Sequence, residues 1–312
     1  MSLIEQAAKR LEQLRQAGVE LPEESDKAPL APPKAATIQS ATPATNSAPL
    51  NPPSAPILTT PSPSSVQTQL NLDAISASGL LTPDAARSQL ADEFRVIKRP
   101  LIANAMGRGS TPAPNGNLIM VTSALPGEGK SFSAINLAIS IAMELDNTVM
   151  LVDADVARPS VLNMLGLPPA KGLLDVLQEN SVDISSVLLR TNIEKLSILP
   201  SGTPHPRATE LLASETMIRL LDDMSSRYSD RIIVFDSPPL LLTTEARVLA
   251  SHMGQVIIVV NAENTTQAAV KQAIATIESC PLKMMLLNQV RTSKTDGYGY
   301  GYGYGYGYGH EK

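Results

Sequence analysis

The stretch Leu118-Ile119-Met120-Val121-Thr122-Ser123-Ala124-Leu125-Pro126-Gly127-Glu128-Gly129-Lys130-Ser131, followed by Phe132-Ser133-Ala134, decides the fold. An apolar run predicts a strand, a turn rich in small residues follows, and a helix opens directly behind it. Phosphate binding needs these pieces in this order: small residues let backbone N–H groups converge on an anion, and the helix N-terminus adds positive potential. Lys130 then reaches the β- and γ-phosphates of a nucleotide, and the Ser131 hydroxyl coordinates Mg²⁺. Ala124 stands where such loops usually open on glycine. Pro126, Gly127, Glu128, Gly129, Lys130, Ser131 and Phe132 are therefore the candidate nucleotide contacts. A turn that merely connected two elements would not require Lys130-Ser131.

Two more strand ends carry carboxylates. Val149-Met150-Leu151-Val152-Asp153-Ala154-Asp155 closes one apolar run with two acids of the same side-chain parity, and Ile232-Ile233-Val234-Phe235-Asp236-Ser237-Pro238-Pro239 closes another. A lone acid after a strand serves most simply as a helix cap. In a parallel sheet, however, these acids and the loop leave by one edge, where they can hold Mg²⁺ and its waters or accept a proton from an attacking hydroxyl. Asp155 and Asp236 join Ser131 as candidate metal ligands. Lys130, Asp153 and Asp155 are the candidate catalytic residues.

Outward from this centre, strand-like runs near 117–123, 148–153, 195–199, 231–236, 255–260 and 283–288 alternate with helical segments near 131–145, 159–166, 172–179, 207–226, 243–251 and 265–278. Continuous apolar strands separated by helices predict an α/β fold, a mainly parallel sheet covered on both faces, with ligands beyond the carboxyl ends of its strands. Asn288 ends the last strand, as a strand-end cap or a nucleotide contact. Thr82-Pro83-Asp84 reads as a helix start, and that helix should run through Asp92, Arg95 and Lys98 until Pro100 disturbs it.

Four regions are expected. Residues 1–20 hold an amphipathic helix with a Ser2/Glu5 capping box, packed on its own protein or docking a partner. Residues 21–75 form a Pro/Ala/Ser/Thr-rich disordered linker. Residues 76–296 form the folded domain, and residues 297–312 a disordered Gly-Tyr tail. The 312 residues carry a net charge of −5, which argues against a nucleic-acid partner. One cysteine and three scattered histidines offer neither a disulfide nor a metal cluster. With no apolar run long enough to span a bilayer and no secretory signal, the expected location is the cytoplasm.

The loop Ala124–Ser131, the Asp153-Ala154-Asp155 element and Asp236-Ser237-Pro238-Pro239 resemble the Walker A, A′ and B motifs of bacterial tyrosine kinases. The tail tyrosines Tyr298, Tyr300, Tyr302, Tyr304, Tyr306 and Tyr308 resemble the autophosphorylation cluster of that family. The opening Ser2–Glu12, the Pro-rich linker and Lys98-Arg99-Pro100-Leu101 further resemble its exosortase-associated branch, linked to exopolysaccharide production.

The resemblance implies a kinase using ATP and Mg²⁺, with Asp153 as base for the tyrosine hydroxyl and Asp155 and Asp236 supporting the metal. The roles of Asp153 and Asp155 are exchangeable. Asn288 would sit where related ATPases contact the base. The family commonly carries two arginines after Asp-x-Asp, whereas Ala157 and Arg158 stand here. Asp92, Arg95 and Lys98, otherwise a solvated charged face, would answer the family's ring contact between subunits. A homo-oligomeric ring, a membrane-bound polysaccharide co-polymerase or chain-length-determinant adaptor, and a tyrosine phosphatase are the implied partners, with recruitment to the inner membrane face. A positioning or partitioning ATPase is the main rival reading, but its signature lysine is replaced here by Leu125. The remaining rival is a nucleotide-switched adaptor without kinase activity.

Overall fold

The computed structural model describes residues 66–291, apart from 110, 112, 179–181 and 228–230. The expected N-terminal helix, most of the linker and the tail tyrosines lie outside the described residues.

Eight strands form one sheet: β1 (Val66–Gln67), β2 (Leu118–Ser123), β3 (Thr148–Asp153), β4 (Leu189–Arg190), β5 (Leu196–Leu199), β6 (Arg231–Asp236), β7 (Gln255–Asn261) and β8 (Leu282–Asn288). Their order is β1-β4-β5-β3-β6-β2-β7-β8, and only the β4–β5 pair is antiparallel. The helices are α1 (Leu72–Ala77), α2 (Gln89–Ala105), α3 (Lys130–Ala142), α4 (Val161–Met164), α5 (Leu173–Gln178), α6 (Ile184–Val187), α7 (Ala208–Leu212), α8 (Glu215–Arg227), α9 (Glu245–Ser251) and α10 (Gln267–Ala275). Among the described residues, no helix is long and apolar enough to cross a membrane.

The continuous apolar strands have a physical reason: both faces of the sheet are covered. Along β2, Ile119 and Val121 join the layer built with Phe94 of α2 and Ile135 and Ile139 of α3. Their neighbours Leu118 and Met120 join the opposite layer, with Leu221 of α8 and Leu249 of α9. All four are fully buried. The period of two thus divides each central strand between two cores.

Three expectations need correction. Order begins before residue 76: β1 pairs with β4, Leu70 exchanges two hydrogen bonds with the Asn192 side chain, and Asn71 caps α1. The Pro/Ser/Thr-rich composition conceals this start, although Leu70, Ile75, Leu80 and Leu81 are buried in the core. The long helix does not open at Thr82, where Pro83–Ala85 makes one 3-10 turn; it opens after Ser88, whose hydroxyl accepts the Ala91 N–H at 3.2 Å. Nor does Pro100 end it. The carbonyl that proline leaves unbonded belongs to Val96, which is 73% exposed, so water can replace the missing N–H. The segment expected as one helix over 207–226 is two, α7 and α8, divided at Ser214, whose hydroxyl accepts the Met217 N–H.

Candidate active site

The order β3-β6-β2 sets three strand ends side by side on one edge. Asp153 stands in register with Asp236, and Val121 of β2 with Asp236 on its other side. The phosphate loop leaves β2 here and enters α3 at Lys130. Its turn demands glycine twice, at Gly127 (φ 81°) and Gly129 (φ 92°). At Gly129 a Cβ would also fall 2.1 Å from Asn288 Nδ2.

The loop is braced from outside by residues that the sequence pattern does not single out. Glu128 is only 2% exposed: one carboxylate oxygen accepts the Leu125 N–H at 2.6 Å and the other accepts the Thr265 hydroxyl. Asn288 Nδ2 donates to the Glu128 carbonyl at 2.9 Å, and Gln289 Nε2 to the Gly127 carbonyl at 3.2 Å. Asn261 in turn donates to the Gln289 side chain. Asn288 therefore braces the loop through one amide N–H. Glu128 and Phe132, both expected at the nucleotide, turn their side chains inward, Phe132 against the α3 layer. Only their backbone groups remain for a phosphate. The only local hint of the brace is that β7 and β8 each end on an asparagine, Asn261 and Asn288, which does not say what either one holds.

Pro126, Gly127, Lys130, Asp155 and Arg158 line a cleft of about 450 Å³. Inside it Lys130 Nζ lies 2.7 Å from Asp155 Oδ2 and 3.6 Å from Asp236 Oδ1, and donates to Ser131 Oγ at 3.2 Å. Ser160 Oγ donates to Ser131 Oγ at 2.9 Å. Asp153 Oδ2 accepts the backbone N–H groups of Ser160 and Val161, and Asp155 Oδ1 that of Arg158. Among the described residues, Asp153 Oδ1 and both Asp236 oxygens are buried without a hydrogen-bond partner.

Burial is the first cause of the shifted acids here. It pushes Asp153 up to about 7, helped by the Asp236 and Asp155 charges and opposed by the Val161 N–H and Lys130. It pushes Asp236 up to about 6 against the pull of Lys130 and the Ser131 hydroxyl. For Lys130 burial acts downward, but the carboxylates of Asp236, Asp155 and Asp153 together outweigh it and hold the ammonium above its ordinary range. One cation thus serves three crowded acids.

This donor set fits Mg²⁺. Among the described residues no three His, Cys, Asp or Glu side chains close into a metal cage. Mg²⁺ seldom needs one, since it takes one or two carboxylates and fills its remaining positions with phosphates and water. The Asp236 oxygens, free of hydrogen bonds though paired with Lys130, together with Ser131 and Asp155 could supply that partial shell.

The expected charged face on α2 is only partly assembled. Asp92 is exposed and Arg95 half-buried; the two pair with each other, and Arg95 also donates to the Ala86 carbonyl at 3.1 Å. Lys98 is 5% exposed, donates to the Ser140 carbonyl and pairs with Glu144 at 2.8 Å. Six residues along a helix turn the side chain by about 120° from Asp92. That rotation carries Lys98 off the exposed face and into the α2–α3 seam.

A mainly parallel sheet with this loop and acids at its carboxyl edge defines a P-loop nucleotide-binding protein. Residues 116–289 match the family AAA_31, an AAA domain. The chain is 33% identical over 182 residues to the tyrosine-protein kinase YwqD of Bacillus subtilis (strain 168), covering 58% of this chain and 75% of that one. It is 27% identical over 224 residues to the putative tyrosine-protein kinase CapB of Staphylococcus aureus, covering 71% and 93%. The crystal structure of the chimerical protein CapA2B2 superimposes with a TM-score of 0.59 at 28% identity, over 74% of this chain and 95% of that one. The chain belongs to the bacterial tyrosine kinases of the P-loop superfamily.

Proposed function

We propose that this kinase transfers the γ-phosphoryl group of ATP to tyrosines Tyr298, Tyr300, Tyr302, Tyr304, Tyr306 and Tyr308 of a neighbouring copy. The observation that carries the reading is the grouping of Lys130 with Asp155 and Asp236 at the phosphate loop, while Asp153 stands behind them with one oxygen unengaged. Lys130 and the loop N–H groups bind the phosphates. Asp153 receives the proton of the attacking hydroxyl. Ser131, Asp155 and Asp236 would hold Mg²⁺, which neutralises charge on the β- and γ-phosphate oxygens.

Glycine between tyrosines lets each adopt the extended form a site requires, and the 16 residues 297–312 reach roughly 50 Å at about 3.3 Å each. That reach supports transfer in trans within a ring, for which Asp92 and Arg95, without Lys98, remain the contact candidates. Resemblance to the exosortase-associated branch supports control of exopolysaccharide polymerisation or export. It also supports a membrane-bound co-polymerase adaptor that recruits the kinase to the membrane, and a phosphatase that resets it. Leu125, packed against the second apolar layer where a positioning ATPase carries its signature lysine, weighs against that alternative.

Mass spectrometry after incubation with Mg-ATP and the adaptor tests the reading. Phosphotyrosine should appear on the tail and vanish when all six tyrosines become Phe, with nucleotide affinity retained. Phosphate release without phosphotyrosine would overturn it.

A further inference from the structure

The sheet ends on β8, which pairs with β7 on one side and with no strand among the described residues on the other. Seven residues long, it leaves a row of backbone groups open to an added strand. Its side chains are apolar on both faces. Met284 and Leu286 turn to the α2 layer and are half-buried. Met285 and Leu287 turn to α10 and are 66% and 62% exposed. A long edge with such side chains is a pairing site that folded proteins normally cover.

The two faces differ in room. On the α10 side, Met285 and Leu287 border a groove of about 620 Å³ together with Val260, Val270 and Ile274. On the α2 side, the space beside Ile97, Pro100 and Leu101 is about 350 Å³. A strand laid along β8 therefore fits best with its large side chains toward α10 and its small ones toward α2.

The sequence after β8 has that form. Tyrosine alternates with glycine from Gly297 to Gly309, and in a strand the period of two sets every tyrosine on one face and every glycine on the other. Opposite residues of an antiparallel pair share a face, so tyrosines set against Met285 and Leu287 all meet the wider groove. Aromatic side chains beside aliphatic ones are favourable cross-strand pairs.

The exit of the chain from β8 suits such a return. Gln289 has φ 57°, which breaks the strand, and Arg291 Nε lies 3.1 Å from Glu263 Oε1. Arg291 is thus tied to the connection that leads from β7 into α10. Residues 292–297 alone separate it from Tyr298, and so short a tether favours the chain's own tail over a second copy.

We infer that residues 298–304 of the unmodified tail add to the sheet as an antiparallel strand on β8, with the tyrosine rings in the α10 groove, and that this docking withholds those tyrosines from transfer. The withholding rests on the kinase reading above; the docking does not. Ordering alternate glycines is costly, so the docked strand releases readily to a site that binds a tyrosine.

The docking is tested without nucleotide, on the phosphatase-treated full chain. Gly301→Pro with Tyr302→Pro should speed hydrogen exchange at the outward β8 amides about tenfold, since one of two adjacent N–H groups must face β8 in any register. Equal exchange in parent and variant overturns the docking. Protection lost on dilution assigns the edge to a second copy and equally overturns it. The chain has no Trp, and Tyr228 is its one tyrosine outside the tail, so tyrosine emission reports on the tail rings. Met285→Lys with Leu287→Lys, which blunts the edge, should raise acrylamide quenching of that emission about twofold. Unchanged quenching overturns the groove as the place of the rings. With Mg-ATP and the adaptor, the same lysine pair should speed initial tail phosphorylation about threefold, because the competent form is no longer a fraction of the whole. Equal or slower transfer removes the withholding role. Absence of phosphotyrosine in the parent removes the kinase reading, and the exchange and quenching results decide the docking in either case.

Discussion

Lys130 Nζ stands 2.7 Å from Asp155 Oδ2, so the cation expected to meet phosphates and an acid expected to meet Mg²⁺ offset each other's charge. The pair compensates charge in the acidic pocket, which gives this lysine a structural role beside the chemical one proposed for it.

Lys130→Met should therefore abolish phosphotyrosine and also lower the melting temperature. Removing one partner of a buried pair leaves an uncompensated charge, at a cost of about 3–5 kcal/mol in comparable sites. The deficit should shrink near pH 5, where Asp153 and Asp236 bind protons, and the added Asp155→Asn change should restore part of the stability. Thermal melts of both variants at pH 5 and pH 8 check this, and a pH-independent loss would contradict it.

Asp153 offers a second pH test, in metal-free buffer. Its carboxyl is near 3.8 when unfolded and is pushed up to about 7 when folded. Between these values the folded state holds a proton that the unfolded state has lost, so stability must fall as pH rises through that window and level off above about 7. Asp153→Asn should reduce this fall, leaving the share due to Asp236, which is raised to about 6: the variant melts higher than the parent at pH 8 and similarly at pH 4. Phosphotyrosine formation should be lost at every pH, while nucleotide binding persists.

Glu128 makes the third test. Glu128→Ala would strip partners from the Leu125 N–H and the Thr265 hydroxyl, a loss of about 1–3 kcal/mol at a buried position. The loop would then be less preorganised, and ATP affinity measured by calorimetry should drop by about tenfold. Thr265→Val should shift it in the same direction by less. Unchanged affinity in both would show that the brace does not shape the loop.

The central strands, the phosphate loop and the acids at Asp153, Asp155 and Asp236 were legible because each is a local pattern: an apolar run, a spacing of small residues, or an acid at a strand end. The brace was not. Thr265 lies 137 residues from Glu128 and Asn288 lies 160 away, and no local pattern links residues so distant. Lys98 misled for a related reason. Its spacing from Asp92 and Arg95 suggested one charged face, but spacing does not say where the neighbouring helix sits. The start of the domain was hidden by composition, since a Pro/Ser/Thr-rich segment can still fold when a side chain such as Asn192 supplies hydrogen bonds to its backbone.

Lys98 and Arg95 should separate in mutation. Lys98→Ala removes an ion pair and a bond to the Ser140 carbonyl inside the α2–α3 seam, and should cost about 1–3 kcal/mol in chemical denaturation. Arg95→Ala loses a partly exposed pair and a bond to the Ala86 carbonyl, and should cost less, about 0.5–1 kcal/mol. If Asp92 and Arg95 form the ring contact, Arg95→Ala should lower the oligomer fraction in sedimentation, whereas Lys98→Ala should lower stability without that effect.

Phosphorylation should also control assembly. Each phosphate adds roughly −1.5 to −2 charge at neutral pH, so six modified tyrosines add roughly −9 to −12. The whole chain carries only −5. Tails gathered around a ring would repel one another and the acidic sites of neighbouring copies, so dephosphorylated protein should assemble and phosphorylated protein dissociate. The repulsion acts among solvated charges and should weaken as salt rises. Sedimentation of phosphorylated and phosphatase-treated chains, with the adaptor and at low and high salt, measures this. Equal oligomer distributions at low salt would exclude the tail as an electrostatic switch and leave its role as acceptor intact.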